Sequence, residues 1–418
     1  MKKLLFLLLT LLTVALLVSC GSEKTEKPEE TGNETVVDNG GEDVSEKEVA
    51  KRLSDEEKAK YFKSVEFELT DKPFRDVIVD YMRKQSDIEW VCGADFSVTE
   101  EFANWSISLD FKKGQQYRGI PYADTKVSYI QFQNALVDGT YTCTSSAWKD
   151  VYGVQCISSI MNSIQQFDPT VAGTSGVMMP GEKDFEAKVC GDYKYPTNPR
   201  STKSIIELNG EEDIYNAYMQ LKKGDIIANI NFDKQTSHFR VLVEDPTIYK
   251  NATGKIVYSR CAVKTIEQTN AFDRERNDGV KTTWFVDHVY SFQELTKSGY
   301  IPLTLESYSK PRSEMEVPYI ALDNELDPAV LSKKLFNNAV VCSNFPIRYV
   351  QIDVLNEGGE KVTSKFKIDM VDSRKVILRN AFSSLFEGLE SGKKYTLVLS
   401  AGIAIDSCEL QRVDFTLN

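Results

Sequence analysis

Two runs constrain what this chain can fold into: one with helical spacing that begins on a cysteine, and a later one with strand spacing that begins on a histidine. From Cys156 to Phe167, the apolar residues Ile157, Ile160, Met161, Ile164 and Phe167 share one helical face, which predicts a helix with a core-facing stripe. Gly153-Val154-Gln155 supplies a flexible turn before it and leaves Cys156 in the first helical turn, where unpaired N–H groups and the helix dipole stabilise a thiolate. His238 opens a run in which Phe239, Val241 and Val243 alternate, the period of a half-buried strand. A strand-borne imidazole can take the proton of a helix-borne thiol only if helix and sheet pack together, so the pair predicts an α+β fold.

The flanking sequence is consistent with that expectation. Phe74, Val77, Ile78 and Tyr81 predict a packing helix, and the span 90–111 is strand-like and irregular. Lys113 to Tyr122 is rich in turn residues and suits a loop lining a cleft. Leu221-Lys222-Lys223-Gly224-Asp225 reads as a tight turn entering a strand, and a further strand over about 255–269 ends in Ile266-Glu267-Gln268-Thr269-Asn270. Beyond about residue 309 the pattern changes to short alternating strands separated by turns such as Glu357-Gly358-Gly359, which predicts a β-sandwich of about a hundred residues. Its segment 389–399 resembles a late strand of fibronectin type III or immunoglobulin-like domains. Cys342 and Cys408 both fall in strand-like stretches there, and spacing leaves open whether they pair.

Met1-Lys2-Lys3 followed by the apolar stretch Leu4 to Val18 has the charge and length of a secretion signal rather than a spanning helix. It ends in Leu17-Val18-Ser19-Cys20-Gly21, which resembles the lipobox of bacterial lipoproteins and implies a lipid on Cys20, a bacterial cell-envelope location and a membrane as partner. From Gly21 to Ala50 there are ten acidic and three basic residues with little apolar content, so this stretch is expected to be a solvated tether. With a formal net charge of −12 and no basic patch, nucleic acid is not an expected partner. The chain has eight cysteines, seven without Cys20, and no Cys-x-x-Cys pair or histidine cluster; neither a metal nor a cofactor is expected. Expected boundaries are 1–20 for the signal and lipobox, 21–58 for the tether, 59–308 for the α+β domain and 309–418 for the sandwich.

In order along the chain, Gly119-Ile120-Pro121-Tyr122, Gly153-Val154-Gln155-Cys156-Ile157-Ser158-Ser159, Leu221 to Asp225, and Ser237-His238 through Val243 resemble the NlpC-type cell-wall peptidases and the related CHAP amidases. Glu267 to Asn270 looks like the end of the next CHAP strand, and the likeness covers about 113–270. It implies a papain-like fold and amide hydrolysis, with peptidoglycan peptides or a similar amide as substrate. Cys156 would be the nucleophile, His238 the general base and Glu267 the residue orienting the imidazole, with Gln268 as the alternative for that last role. Tyr122 would belong to the substrate-binding loop. Gln155 stands where these families mostly carry Asp, which bears on substrate preference. Two other readings share these residues: a catalytically inactive papain-like binding lipoprotein with an immunoglobulin-like partner-binding domain, and thiol acyl transfer to lipid. His288 lacks a nucleophile pattern nearby and reads as a surface or packing residue. Trp90, Trp105, Trp148 and Trp284 read first as core.

Overall fold

The computed structural model describes residues 49–418 apart from 103, 172–174, 277 and 369–372. The expected signal peptide, Cys20 and the tether up to residue 48 lie outside the described residues. The rest of the expected tether is ordered. Ser54 and Glu57 form a reciprocal capping box on α1 (Asp55–Lys58), and Lys51 exchanges backbone hydrogen bonds with Met315 and Val317. Capping residues and backbone partners hold this stretch despite its low apolar content.

Along the chain follow β1 (Lys63–Glu66), α2 (Phe74–Asp87), β2 (Glu89–Cys92), β3 (Phe96–Glu101), β4 (Ser106–Phe111), β5 (Gln116–Arg118), α3 (Tyr129–Asn134), β6 (Thr140–Tyr141) and α4 (Cys156–Ile164). Next come β7 (Lys188–Val189), α5 (Thr202–Asn209), α6 (Glu211–Tyr218), β8 (Ile226–Asn231), β9 (Thr236–Leu242), β10 (Ala262–Gln268), β11 (Trp284–Ser291), α7 (Phe292–Ser298) and β12 (Ile301–Thr304). The last part contains β13 (Tyr319–Leu322), β14 (Val340–Ser343), β15 (Ile347–Asn356), β16 (Lys361–Ile368), β17 (Lys375–Ile377), β18 (Lys394–Ile403) and β19 (Ser407–Thr416). The fold is α+β. Its central sheet is antiparallel, with strand order β11-β10-β9-β8-β12-β7. Two further four-stranded sheets, β1-β13-β14-β17 and β16-β15-β18-β19, share one hydrophobic core that includes Ile320, Val341, Ile352 and Leu399. The central sheet, α2 and α4 belong to a separate core.

β1 lies inside the span 59–308 expected to form one domain, yet it pairs with β13, and Phe67 just after it packs in the second core. A four-residue strand carries too little pattern to reveal its partner, which is set by a contact some 250 residues away in sequence.

The helix beginning at Cys156 ends at Ile164, three residues before the expected Phe167, and every one of its residues is buried, Ser158, Ser159, Asn162 and Ser163 included. The expected single apolar stripe therefore meets a surround on all sides. α2 packs against it, and Gln85 of α2 donates to Ser159 O at 3.0 Å and Ser163 Oγ at 3.1 Å. Arg348 of β15 donates to Asn162 Oδ1. Ser163 and Asn162 are hydrogen-bonded across these contacts, and the Ser158 and Ser159 hydroxyls within the first turn of α4, which is what permits their burial.

Gly224 turns the chain into β8 with φ +84°, and a Cβ there would lie 2.9 Å from Arg75 O, so the turn requires glycine on both counts. The strand expected over about 255–269 is shorter, β10, and follows a 3₁₀ turn at Tyr258–Arg260. Cys342 and Cys408 are free thiols, as are the other cysteines among the described residues. Among those residues, no helix is long and apolar enough to cross a membrane.

Candidate active site

Gln155 is extended at φ −96° and ψ 176°, and α4 starts at the next residue. This break puts Cys156 in the first turn, where helix geometry leaves backbone N–H groups without intrahelical acceptors. Ser158 Oγ accepts from the Gln155 N–H at 2.7 Å and secures the start. The Cys156 side chain lies against β9, with Sγ 3.7 Å from Ser237 O; the residue is only 4 % exposed.

His238 sits near the start of β9. Its Nε2 bonds Oε2 of Glu267, and Cys156 is among the groups that raise its proton affinity. An ionised carboxylate only accepts, so Nε2 is the donor and Nδ1 is the nitrogen left for the thiol. The β9–β10 register, with Leu242 opposite Thr265 and Val241 opposite Ile266, continues one step to set Arg240 opposite Glu267. Glu267 and His238 then meet as diagonal neighbours on one face.

Glu267 is 1 % exposed and has three donors. Besides His238, Arg240 Nε lies 2.8 Å from Oε2, and the Tyr290 hydroxyl donates to Oε1 at 2.6 Å. Burial alone would raise the carboxyl pKa. The His238 hydrogen bond and charge, the Arg240 charge and the Tyr290 hydroxyl outweigh it and bring the pKa down from 4.5 to about 2. For His238, burial disfavours the imidazolium, but hydrogen bonds to Cys156 and Glu267 and their charges more than compensate, raising the pKa from 6.5 to about 9. The imidazolium therefore persists through neutral pH next to the thiol.

Gln268 is turned away from this cluster and donates to Ile120 O at 2.8 Å, so of the two candidates it is Glu267 that contacts the imidazole. Tyr122 is 6 % exposed and pairs through its backbone with Val154. Burial, then the charges of Cys156 and Asp124, push its hydroxyl pKa well above the ordinary value. Gln155 commits its amide nitrogen to Asp124 Oδ1. His288 stacks on Phe285, with ring centroids 4.7 Å apart, and lies 3.5 Å from Asp273, a packing arrangement apart from the thiol. Trp90 and Trp284 are core; Trp105 and Trp148 are partly buried and pack edge-on at 6.4 Å. Cys20 lies outside the described residues.

Sequence reasoning missed Arg240, Tyr290 and Tyr300. Arg240 carried a signal: it follows His238 by two in an alternating strand, so it shares the histidine's face. Tyr290 and Tyr300 carried none, since only the pairing of β11 on β10 and the turn into β12 bring them in. Among the described residues, no group of three or more His, Cys, Asp or Glu is arranged to hold a metal ion.

The chain matches no family model, and no curated protein matches it.

Proposed function

We propose that this protein is a lipid-anchored thiol hydrolase of the bacterial cell envelope, cleaving amide bonds in peptidoglycan peptides or a similar substrate by a Cys156–His238–Glu267 mechanism. The observation that carries this reading is the position of His238, on the strand against which the helix-start thiol lies and bonded to a buried carboxylate. A helix-borne thiol against an antiparallel sheet bearing the base and its orienting acid supports a papain-like reading of the α+β fold. The two sheets with a shared core at the C-terminal end support an immunoglobulin-like sandwich beside it.

In this mechanism His238 Nδ1 holds the thiol proton, and Sγ forms a bond to the substrate carbonyl carbon. The Cys156 N–H, in the first turn of α4, faces the developing oxyanion. The imidazolium gives its proton to the leaving amine as the C–N bond breaks, and water, deprotonated by His238, then releases the acid and restores the thiol. Glu267 stays ionised throughout and holds the ring through Nε2. Tyr122 lines the approach. Gln155, tied to Asp124, shapes the wall of the site rather than reaching for substrate.

The 4 % exposure of Cys156 favours a second reading, a binding lipoprotein in which this constellation is closed and inactive. One experiment separates the two. Wild-type protein should incorporate labelled fatty acid, have Cys156 alkylated by iodoacetamide ahead of the other cysteines, and turn over peptidoglycan fragments. Cys20→Ser should lose the label and keep turnover; Cys156→Ala and His238→Ala should keep the label and lose turnover by at least about 10³-fold, with Glu267→Ala retaining a residue of activity. An unreactive Cys156, together with no product that Cys156→Ala fails to make, would leave the binding reading standing.

A further inference from the structure

Arg240 is a largely buried cation that the mechanism above does not use, and its surroundings are specific. Its side chain is 12 % exposed. The guanidinium lies between two phenol rings, 3.9 Å from the centroid of Tyr290 and 4.3 Å from that of Tyr300. Tyr300 in turn packs edge-on to the His238 ring at 6.4 Å, and Tyr290 donates to the other oxygen of the carboxylate that Arg240 pairs with. Two donors, Arg240 Nε and His238 Nε2, converge on the single atom Glu267 Oε2.

We propose that Arg240 is a positioning residue that divides the Glu267 carboxylate between itself and His238, and so sets how tightly His238 holds its proton. This rests on the Cys156–His238–Glu267 reading and deepens it. A buried carboxylate facing an imidazolium alone forms an ion pair that keeps its proton on the imidazole, which is a poor property in a group that must give that proton to a leaving amine. A second fixed cation on the same oxygen takes part of the carboxylate's charge and repels the imidazolium, lowering the proton affinity of the ring. The planar guanidinium suits the slot, because it stacks on both phenols while its Nε–H stays aimed at the carboxylate. The groups facing this pair are Cys156 from α4, Glu267 from β10, Tyr290 from β11, Tyr300 ahead of β12 and Tyr218 from α6. Of these, Glu267 carries negative charge near neutral pH, and among the facing groups Arg240 is the cation that opposes its pull on the ring proton.

The test is a ring titration by NMR on the full chain with ¹⁵N-labelled histidine. The chain has only two histidines, His238 and His288, so His288→Gln assigns the signals. In Arg240→Gln and Arg240→Met the His238 midpoint should rise by about one pH unit or more above wild type, and the alkaline limb of turnover should move up with it. Arg240→Lys, which keeps the charge, should return the midpoint to within about half a unit of wild type. A midpoint that is unchanged or lower in the neutral variants overturns the proposal, as does a Lys variant that behaves like them. The titration reads the ring whether or not the protein turns anything over. Absent turnover with the expected shifts would count against the hydrolase reading alone, and turnover without the shifts would count against Arg240 alone.

Discussion

The proton affinity of His238 comes from neighbours on two other elements, and this makes stability depend on pH in a defined way. Its pKa is raised from 6.5 to about 9. Its contribution to folding is therefore complete below about pH 6.5, declines as pH rises and is gone above about 9. Glu267 is shifted the other way, from 4.5 to about 2, so its contribution is complete above about pH 4.5 and is lost as pH falls toward 2. The two share one interaction and bracket a window between about pH 4.5 and 6.5 in which it is fully present. Urea denaturation at pH 6 and pH 9 should show wild type losing more stability across that interval than His238→Gln. Equal losses in the two proteins would mean that the His238 pKa is not raised by folding. Cys156 and His238 were legible as a pair because helix-start and strand-start positions are marked by local pattern. Arg240 was legible only as a polar residue on the histidine's face, since its role depends on the phenols around it.

At the level of elements, α4 carries the most information. Its start was readable from Gly153-Val154-Gln155 and its apolar spacing, but its polar residues gave no sign of being buried. Asn162 shows why. It is 0 % exposed, donates to Val127 O at 2.8 Å and to Gln85 Oε1 at 3.3 Å, and accepts from Arg348. Those partners come from α2, from the chain just before α3 and from β15, so no window of local sequence contains them. Asn162→Ala should destabilise the protein by about 3 kcal/mol, because it takes a hydrogen-bond partner away from several buried polar groups, one of them charged. Thermal or urea denaturation checks this; a loss under about 1 kcal/mol would mean that water or side-chain rearrangement satisfies the partners.

For the whole molecule, the division into domains is tied to β1. A fragment spanning 309–418 contains the rest of its two sheets but lacks β1 and Phe67, and burial of a phenylalanine contributes about 1.5–3 kcal/mol. We expect this fragment to melt below the same fragment supplied with a peptide spanning 59–70, the difference vanishing when Phe67 is replaced by Ser in the peptide. If the peptide has no effect, the boundary near 309 stands without the N-terminal strand. The contacts between the two cores include polar ones, with Tyr81 Oη and Gln166 Nε2 both donating to Ala404 O and Arg374 Nη2 donating to Pro169 O, and an edge-on ring contact of Tyr152 with Phe366. Such a seam permits two cores within one compact unit.

Local pattern was enough for the α+β class, the helix start at Cys156, the strand bearing His238, the glycine turn into β8 and the strand-and-turn character of the last hundred residues. Each of these is a local property, written in periodicity or in one residue's backbone freedom. That Glu267 rather than Gln268 faces the imidazole emerges only on folding, because neighbouring residues on a strand point to opposite faces and only the sheet's packing says which face is which. The same holds for the seat of β1 in a sheet built from the other end of the chain, the burial of the polar side of α4 and the place of Arg240 between two tyrosines. These are long-range pairings, and their free energy comes from partners distant in sequence that no local window holds.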